Sequence, residues 1–411
     1  MSEWENITLG EFGTFTNGIN KDKGSFGYGN PFVNLLDIYG KASISRTPKG
    51  LVKISESEIK IYDLKKGDVL FARSSVKPEG VGQSCVVLRN LERVVYSGFI
   101  IRFRQFSEKL WYLYSKYCFD NKELRRSILA KSTVSANTNI NQESLKTVQI
   151  KLPPLPHQRK IAHILTTVDN IIEKTESAIE KYKAIKQGMM HDLFTRGIDV
   201  KTGKLRPSYE DAPELYRETE LGMIPKEWAV KRLEDFVYMR SGDGITSESI
   251  EVMGDYPVYG GNGLRGYAKK YTHSGDFVLI GRQGALCGNV FRARGKFFAS
   301  EHAVVVTILD SSNVDWLGQK LKYMKLNKYS EASAQPGLAV TKLLSLSVAL
   351  PKENEQNEVS KRLLILNSKL KIEQTALSKY QKIKQALMQD LLTGKKEVTP
   401  DPEDFETANN E

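Results

Sequence analysis

Cysteine is scarce in this chain. Cys85, Cys118 and Cys287 stand far apart, which excludes a disulfide framework and a cysteine-built zinc site. The histidines, at 157, 163, 191, 273 and 302, form no metal-like spacing either. No apolar run approaches the ~18 residues of a membrane span. The acidic opening Met1-Ser2-Glu3-Trp4-Glu5 does not read as a signal peptide. A soluble, intracellular (cytoplasmic) protein without a membrane partner is expected.

Catalytic signatures are missing as well. No G-x-x-x-x-G-K-[ST] is present for ATP. Asn30-Pro31-Phe32 lacks the second proline of an amino-methyltransferase loop, and Glu58-Ile59-Lys60 has no strand aspartate to complete a nuclease motif. Gly261-Asn262-Gly263-Leu264-Arg265-Gly266 fits the dinucleotide pattern G-x-G-x-x-G, but Tyr267-Ala268-Lys269-Lys270-Tyr271 opens no amphipathic helix. A glycine-rich turn is the better reading. The chain reads as a non-enzyme, with no metal or cofactor of its own.

What the chain does have is duplication. At an offset of 198, Leu152-Pro153 recurs as Leu350-Pro351, Gln158 as Gln356, Tyr182 as Tyr380, and Ile185-Lys186-Gln187 as Ile383-Lys384-Gln385. Both copies carry an apolar period of 3.5, the mark of a coiled-coil seam. The first seam runs Ile161, Leu165, Val168, Ile172, Thr175, Ile179, Tyr182, Lys186, Met189, Leu193. The second runs Val359, Leu363, Leu366, Leu370, Glu373, Leu377, Tyr380, Lys384, Leu387, Leu391. Gly197 and Gly394 sit where the helices should stop. An antiparallel pair is expected, with each helix ~55 Å long at ~1.5 Å per residue. Such a rod exceeds one ~34 Å turn of DNA and would hold two readers apart.

The 411 residues leave room for two further domains. Short strand-like runs, Val69-Leu70-Phe71-Ala72 and Phe99-Ile100-Ile101-Arg102-Phe103, precede a helical stretch over 110–130 and a small-polar loop, Ser132–Asn139. A looser repeat links Trp4, Leu9 and Phe12 to Trp228, Leu233 and Phe236 at an offset of 224. Lys66-Gly67-Asp68-Val69-Leu70, then Arg73, likewise resembles Ser274-Gly275-Asp276-Phe277-Val278, then Arg282. The expected fold class is α+β: mixed domains at 1–156 and 228–352, long helices at 157–200 and 353–395, a linker at 201–227 and an acidic tail at 396–411.

Charge follows this division. Of the net +11, residues 1–156 hold 23 basic against 15 acidic groups, and residues 228–352 hold 16 against 11. The excess lies on the two non-helical segments, which favours double-stranded DNA as partner. Arg suits guanine, and Asn or Gln suits adenine, in the major groove. The candidate contacts are Asn34, Arg73, Ser74, Ser75, Lys77, Asn137 and Asn139 in the first domain. In the second they are Tyr259, Asn262, Arg282, Gln283 and Gln335.

With the duplicated helices after Leu-Pro-Pro-Leu-Pro-His-Gln and Leu-Pro-Lys-Glu-Asn-Glu-Gln, the phrase Thr219–Trp228 and the paired runs Gly29–Ile38 and Tyr256–Gly263, the chain resembles type I restriction enzyme specificity subunits over nearly its whole length. The resemblance implies two target-recognition domains, each reading one half of a bipartite site. It implies two methyltransferase subunits that carry S-adenosylmethionine, and two restriction subunits that use ATP and Mg to translocate and cut DNA. The subunit itself would be non-catalytic. The short acidic tail, against a longer linker after the first helix, departs from strict repetition. A stand-alone coiled-coil DNA-binding protein is the alternative at this point.

Overall fold

The computed structural model describes residues 4–134, 137–284, 286–330 and 337–405. The chain divides into two compact units, one holding the residues up to 176 together with those from 376 onward, the other holding 177–375.

The first unit is built on a five-stranded sheet in the order Gly13–Asn17, Ile100–Gln105, Val69–Ala72, Ser84–Val87, Ser43–Ile44. Val69-Leu70-Phe71-Ala72 lies at its centre, and all four residues are buried, as a strand covered on both faces requires. Val69 and Phe71 enter a core with Phe12, Phe15 and Phe103. Leu70 and Ala72 point the other way, into a cluster with Ile44, Cys85 and Tyr96. A smaller sheet joins Leu51–Val52, Phe26–Val33 and Val95–Tyr96.

Two local expectations change here. The helix expected over 110–130 is two, Tyr112–Cys118 and Lys122–Ala130. Asn121 starts the second by accepting the Glu123 N–H at 2.8 Å, an N-cap that a continuous helix would forfeit. The small-polar loop is partly strand: Thr133–Val134 pairs with Thr138–Asn139, which pairs with Ser74–Ser75. Ser135 and Ala136 lie outside the described residues.

The second unit carries a six-stranded sheet in the order Val237–Ser241, Ala303–Ile308, His273–Gly281, Val290–Ala299, Tyr256–Gly260, Gly263–Ala268. Its ten-residue strand Val290–Ala299 does the work of two strands in the first unit, Ser84–Val87 and Val95–Tyr96. Phe298 and Ala299 pair in parallel with Val258 and Tyr259, as Val95 and Tyr96 pair with Phe32 and Val33. Residues 88–94 thus interrupt in one unit what is continuous in the other, which is one reason the two offsets differ. The segment Gly261–Gly266 begins in a hairpin turn, with Gly260 opposite Gly263. Gly263 has φ +94°, so the glycine serves a turn and no dinucleotide-type helix follows.

The long helices span Leu155–Thr195 and Glu353–Leu391, the first opening two residues earlier than expected with Pro156 in its first turn. They run antiparallel. In the first unit Ile161 and Leu165 pack with Leu391 and Leu392, and in the second Leu193 packs with Val359 and Leu363. Val168, Ile172, Tyr182, Leu377 and Tyr380 are half-buried, while Ile179, Leu366 and Leu370 are buried. Gln158 and Gln356 are fully buried and do one job twice. Gln158 Oε1 accepts the Trp111 N–H at 2.9 Å and Gln356 Oε1 accepts the Asn313 N–H at 2.7 Å, while each amide donates to a proline carbonyl, Pro153 or Pro351, at 2.9 Å. Each glutamine ties its long helix to the start of a short helix in the same unit.

The span 201–227, expected to be a linker, is folded. It contributes Lys204–Leu205 to a pair with Ile198–Asp199, and Tyr216–Thr219 to a pair with Gly222–Pro225. Arg206 from this span meets buried Glu355 at the start of the second long helix, and Glu355 also accepts from Trp228 Nε1 at 3.0 Å and Ile198 N–H at 2.8 Å. The acidic tail is tied down as well. In the first unit Val398 packs on the core, Asp401 pairs with Lys160, and Arg159 donates to the Asp404 carbonyl at 2.9 Å.

Candidate nucleic-acid interface

Each unit ends a central strand in an arginine held by the same backbone net. In the first, the Arg73 N–H donates to Phe99 O at 2.8 Å, and Arg73 O accepts from Ile140 N–H at 3.0 Å. In the second, the Arg282 N–H donates to His302 O and Arg282 O accepts from Leu338 N–H, both at 2.9 Å. Ile140 and Leu338 stand 198 apart, so the helix repeat reaches back into the readers. Close approach of a third segment needs glycine in both. A Cβ on Gly18 would sit 2.3 Å from Ser97 O, and one on Gly242 would sit 2.2 Å from Ala299 O.

The electrostatics leave both arginines without a counter-charge. Several other basic residues of the sheets are spent on carboxylates. Arg104 donates to both oxygens of Asp68 at 2.7 Å, and Arg292 lies 2.9 Å from Asp315. Burial works against the Arg104 charge, but Asp68 and Asp63 outweigh it and its pKa is raised. Such pairs are structural. Among the described residues Arg73 and Arg282 have no carboxylate partner: Arg73 Nη1 donates to Gly98 O at 3.3 Å and Arg282 Nη1 to Ser241 Oγ at 3.0 Å. A half-exposed guanidinium without counter-charge is a ready donor to phosphate or guanine.

The other candidates divide. Ser74 and Ser75 pair with Asn139 and Thr138 beside Arg73, and Asn139 Nδ2 donates to the Asn137 carbonyl at 2.9 Å. These residues come together. Lys77 follows in an exposed stretch, its N–H donating to Ser75 Oγ at 3.2 Å. Asn34 is occupied locally, its Oδ1 accepting the Leu35 N–H at 2.7 Å as a helix cap. Around Arg282, exposed Gln283 bridges to Gly337, and Gly261, next to Asn262, lies against His302 O and Gln283 O. The Tyr259 ring instead packs on Phe291 and Phe297 at 5.8 and 5.6 Å, which turns it toward the interior. Gln335 lies outside the described residues. Sequence reasoning missed Phe99 and His302, which reach the arginines from the turns just before Ile100–Gln105 and Ala303–Ile308. The shared serines at 97 and 300, each two residues upstream, were the available signal.

The structure is thus duplicated throughout, with two α+β units on one backbone plan, paired long helices and an unneutralised arginine at each sheet end. The sequence profile of the family described as the type I restriction modification DNA specificity domain matches residues 1–181 and 225–385, and the chain belongs to that family. It is 36% identical to the specificity subunit of the Escherichia coli type I restriction enzyme EcoprrI over 244 residues, 58% of this chain and 57% of that one. A putative type I specificity subunit of Methanocaldococcus jannaschii, MjaX, is 26% identical over 92% of this chain and 88% of its own length. Among solved structures, the S subunit of a type I restriction-modification system from M. genitalium superposes with a TM-score of 0.64 at 17% identity, covering 95% of this chain and 96% of that one. That likeness concerns the fold. No helix among the described residues is long and apolar enough to cross a membrane.

Proposed function

We propose that this specificity subunit reads a bipartite duplex site, one half with Arg73, Ser74 and Asn139, the other with Arg282, Gln283 and Asn262. The observation that carries this reading is the pair of uncompensated arginines on one duplicated backbone net. Their flanking side chains differ, as two unlike half-sites require. Family membership favours work within a restriction-modification complex over a stand-alone DNA binder. In the complex this chain contributes recognition and no catalysis, in the cytoplasm. Two methyltransferase subunits supply S-adenosylmethionine chemistry, and two restriction subunits use ATP and Mg.

The test is to co-express the chain with its cognate methyltransferase subunit and map methylated adenines across a host genome. Two short half-sites with a fixed unspecified spacer are expected. Arg73→Ala and Arg282→Ala should each lower methylation at that motif by about tenfold or more, since a good base or phosphate contact is worth ~1–3 kcal/mol. A single uninterrupted motif, or full methylation by both variants, would refute the assignment.

A further inference from the structure

The two backbone nets superimpose in their bonding but not in their side chains. Gly18 N–H bonds Ile100 O at 3.1 Å where Gly242 N–H bonds Ala303 O at 2.9 Å, and Ile19 N–H bonds Tyr96 O where Asp243 N–H bonds Ala299 O, both at 2.9 Å. Within this frame, three positions around each arginine are equivalent by their backbone partners. The residue whose carbonyl receives the arginine's N–H is Phe99 in one unit and His302 in the other. The residue after the arginine is Ser74 or Gln283, and its cross-strand neighbour is Asn139 or Gly337. Backbone atoms fix the net, so the side chains at these points are free to differ, and all three do.

Their chemistry differs in a definite direction. The Phe99 ring is 58% exposed, so it adds little to the core and offers an apolar face beside Arg73. In the second unit the His302 ring stands where Phe99 does, with Nδ1 at 3.0 Å from Gln283 Oε1. The imidazole thereby orients the Gln283 amide and leaves one Oε1 lone pair and both N–H groups open. An oriented glutamine amide matches the N6 and N7 edge of adenine, and a phenyl ring matches the methyl of thymine.

We propose that these three positions set base choice in each half-site. Gln283, held by the positioning residue His302, reads an adenine in one. Phe99 meets a thymine methyl in the other. The inference rests on the DNA-reading function proposed above.

The experiment uses the full chain with its methyltransferase subunit and the methylated motif as readout. Exchanging Gln283→Ser together with His302→Phe should alter the accepted base at one position of one half-site, and the reciprocal Ser74→Gln with Phe99→His at one position of the other. His302→Ala should reduce discrimination at that position about tenfold, measured with duplexes differing at the single base pair. His302→Gln, which retains a hydrogen-bonding amide, should restore most of it. A merely structural role would lower methylation of all sites evenly and leave the preferred base unchanged, which would overturn the proposal. So would a two-part motif that survives both exchanges. A wild-type chain that yields no two-part motif would instead overturn the underlying function, so the two failures are separable.

Discussion

Lys320 illustrates how much a single buried charge can hide. It lies in the helix Val314–Tyr323 with its ammonium between the Phe194 and Tyr323 rings, 5.3 and 5.6 Å from their centres. Burial pushes its pKa down to about 8. The unfolded chain, with its ordinary lysine value near 10.4, therefore binds the extra proton between the two. Stability from this site rises with pH across that window, and below it the buried charge costs roughly 3 kcal/mol. Lys320→Met should raise the unfolding midpoint at pH 7 by roughly 2–6 °C. The gap between variant and wild type should close between about pH 8 and 10.5, as followed by calorimetry. A gap that widened with pH would contradict the assignment. Nothing in the sequence marks this lysine, because its neighbours Gln319 and Lys322 read as an ordinary polar helix face and the covering rings come from elsewhere. Arg73 and Arg282 were legible because each follows an apolar strand run. Phe99 and His302 were not, since their place depends on pairing between distant strands.

Among elements, the long helices were the most legible because a 3.5 period persists over five heptads, and a seam needs only that. Their ends were less so: what holds Glu355 is Arg206, from a span whose polar composition reads as linker. Equivalent helix positions also carry different loads. Asp169 on the first long helix lies 2.6 Å from both Lys116 and Lys384, and Tyr117 OH donates to it at 2.7 Å. Burial alone would raise its pKa, but these hydrogen bonds prevail and hold the carboxyl below its ordinary value. Its stabilising contribution is present above the unfolded value near 4 and fades as pH falls through the folded one. Asp169→Asn should cost about 1 kcal/mol at pH 7 after solvent screening. The cost should shrink as pH falls from the unfolded value through the folded one, and a difference that did not change with pH across the acid range would show that packing alone is responsible.

On the scale of the whole molecule, duplication separates what is repeated from what is free to vary. Gln158 and Gln356 repeat a bond, whereas Ser74 and Gln283 occupy one place with different chemistry. Replacing residues 4–150 with the corresponding segment of another family member should change one half of the methylated motif and leave the other intact. Genome-wide methylation mapping reads this directly, and a change in both halves would rule out independent readers.

The bond between Asp169 and Lys384 also departs from the repeat. The offset of 198 places Asn367 and Lys186 where a second such bond would fall, and burial lowers the Lys186 pKa. With Asn367 where a second carboxylate would stand, the bond is made once and not twice. A fragment of residues 1–200 keeps both Asp169 and Lys186 and should pair with its own twin, forming the bond twice. A fragment of residues 201–411 has the lysine without the acid and should associate more weakly, a contrast that sedimentation equilibrium can measure. A bond made by one copy and not the other thus gives the helix pair a direction that the repeat alone does not.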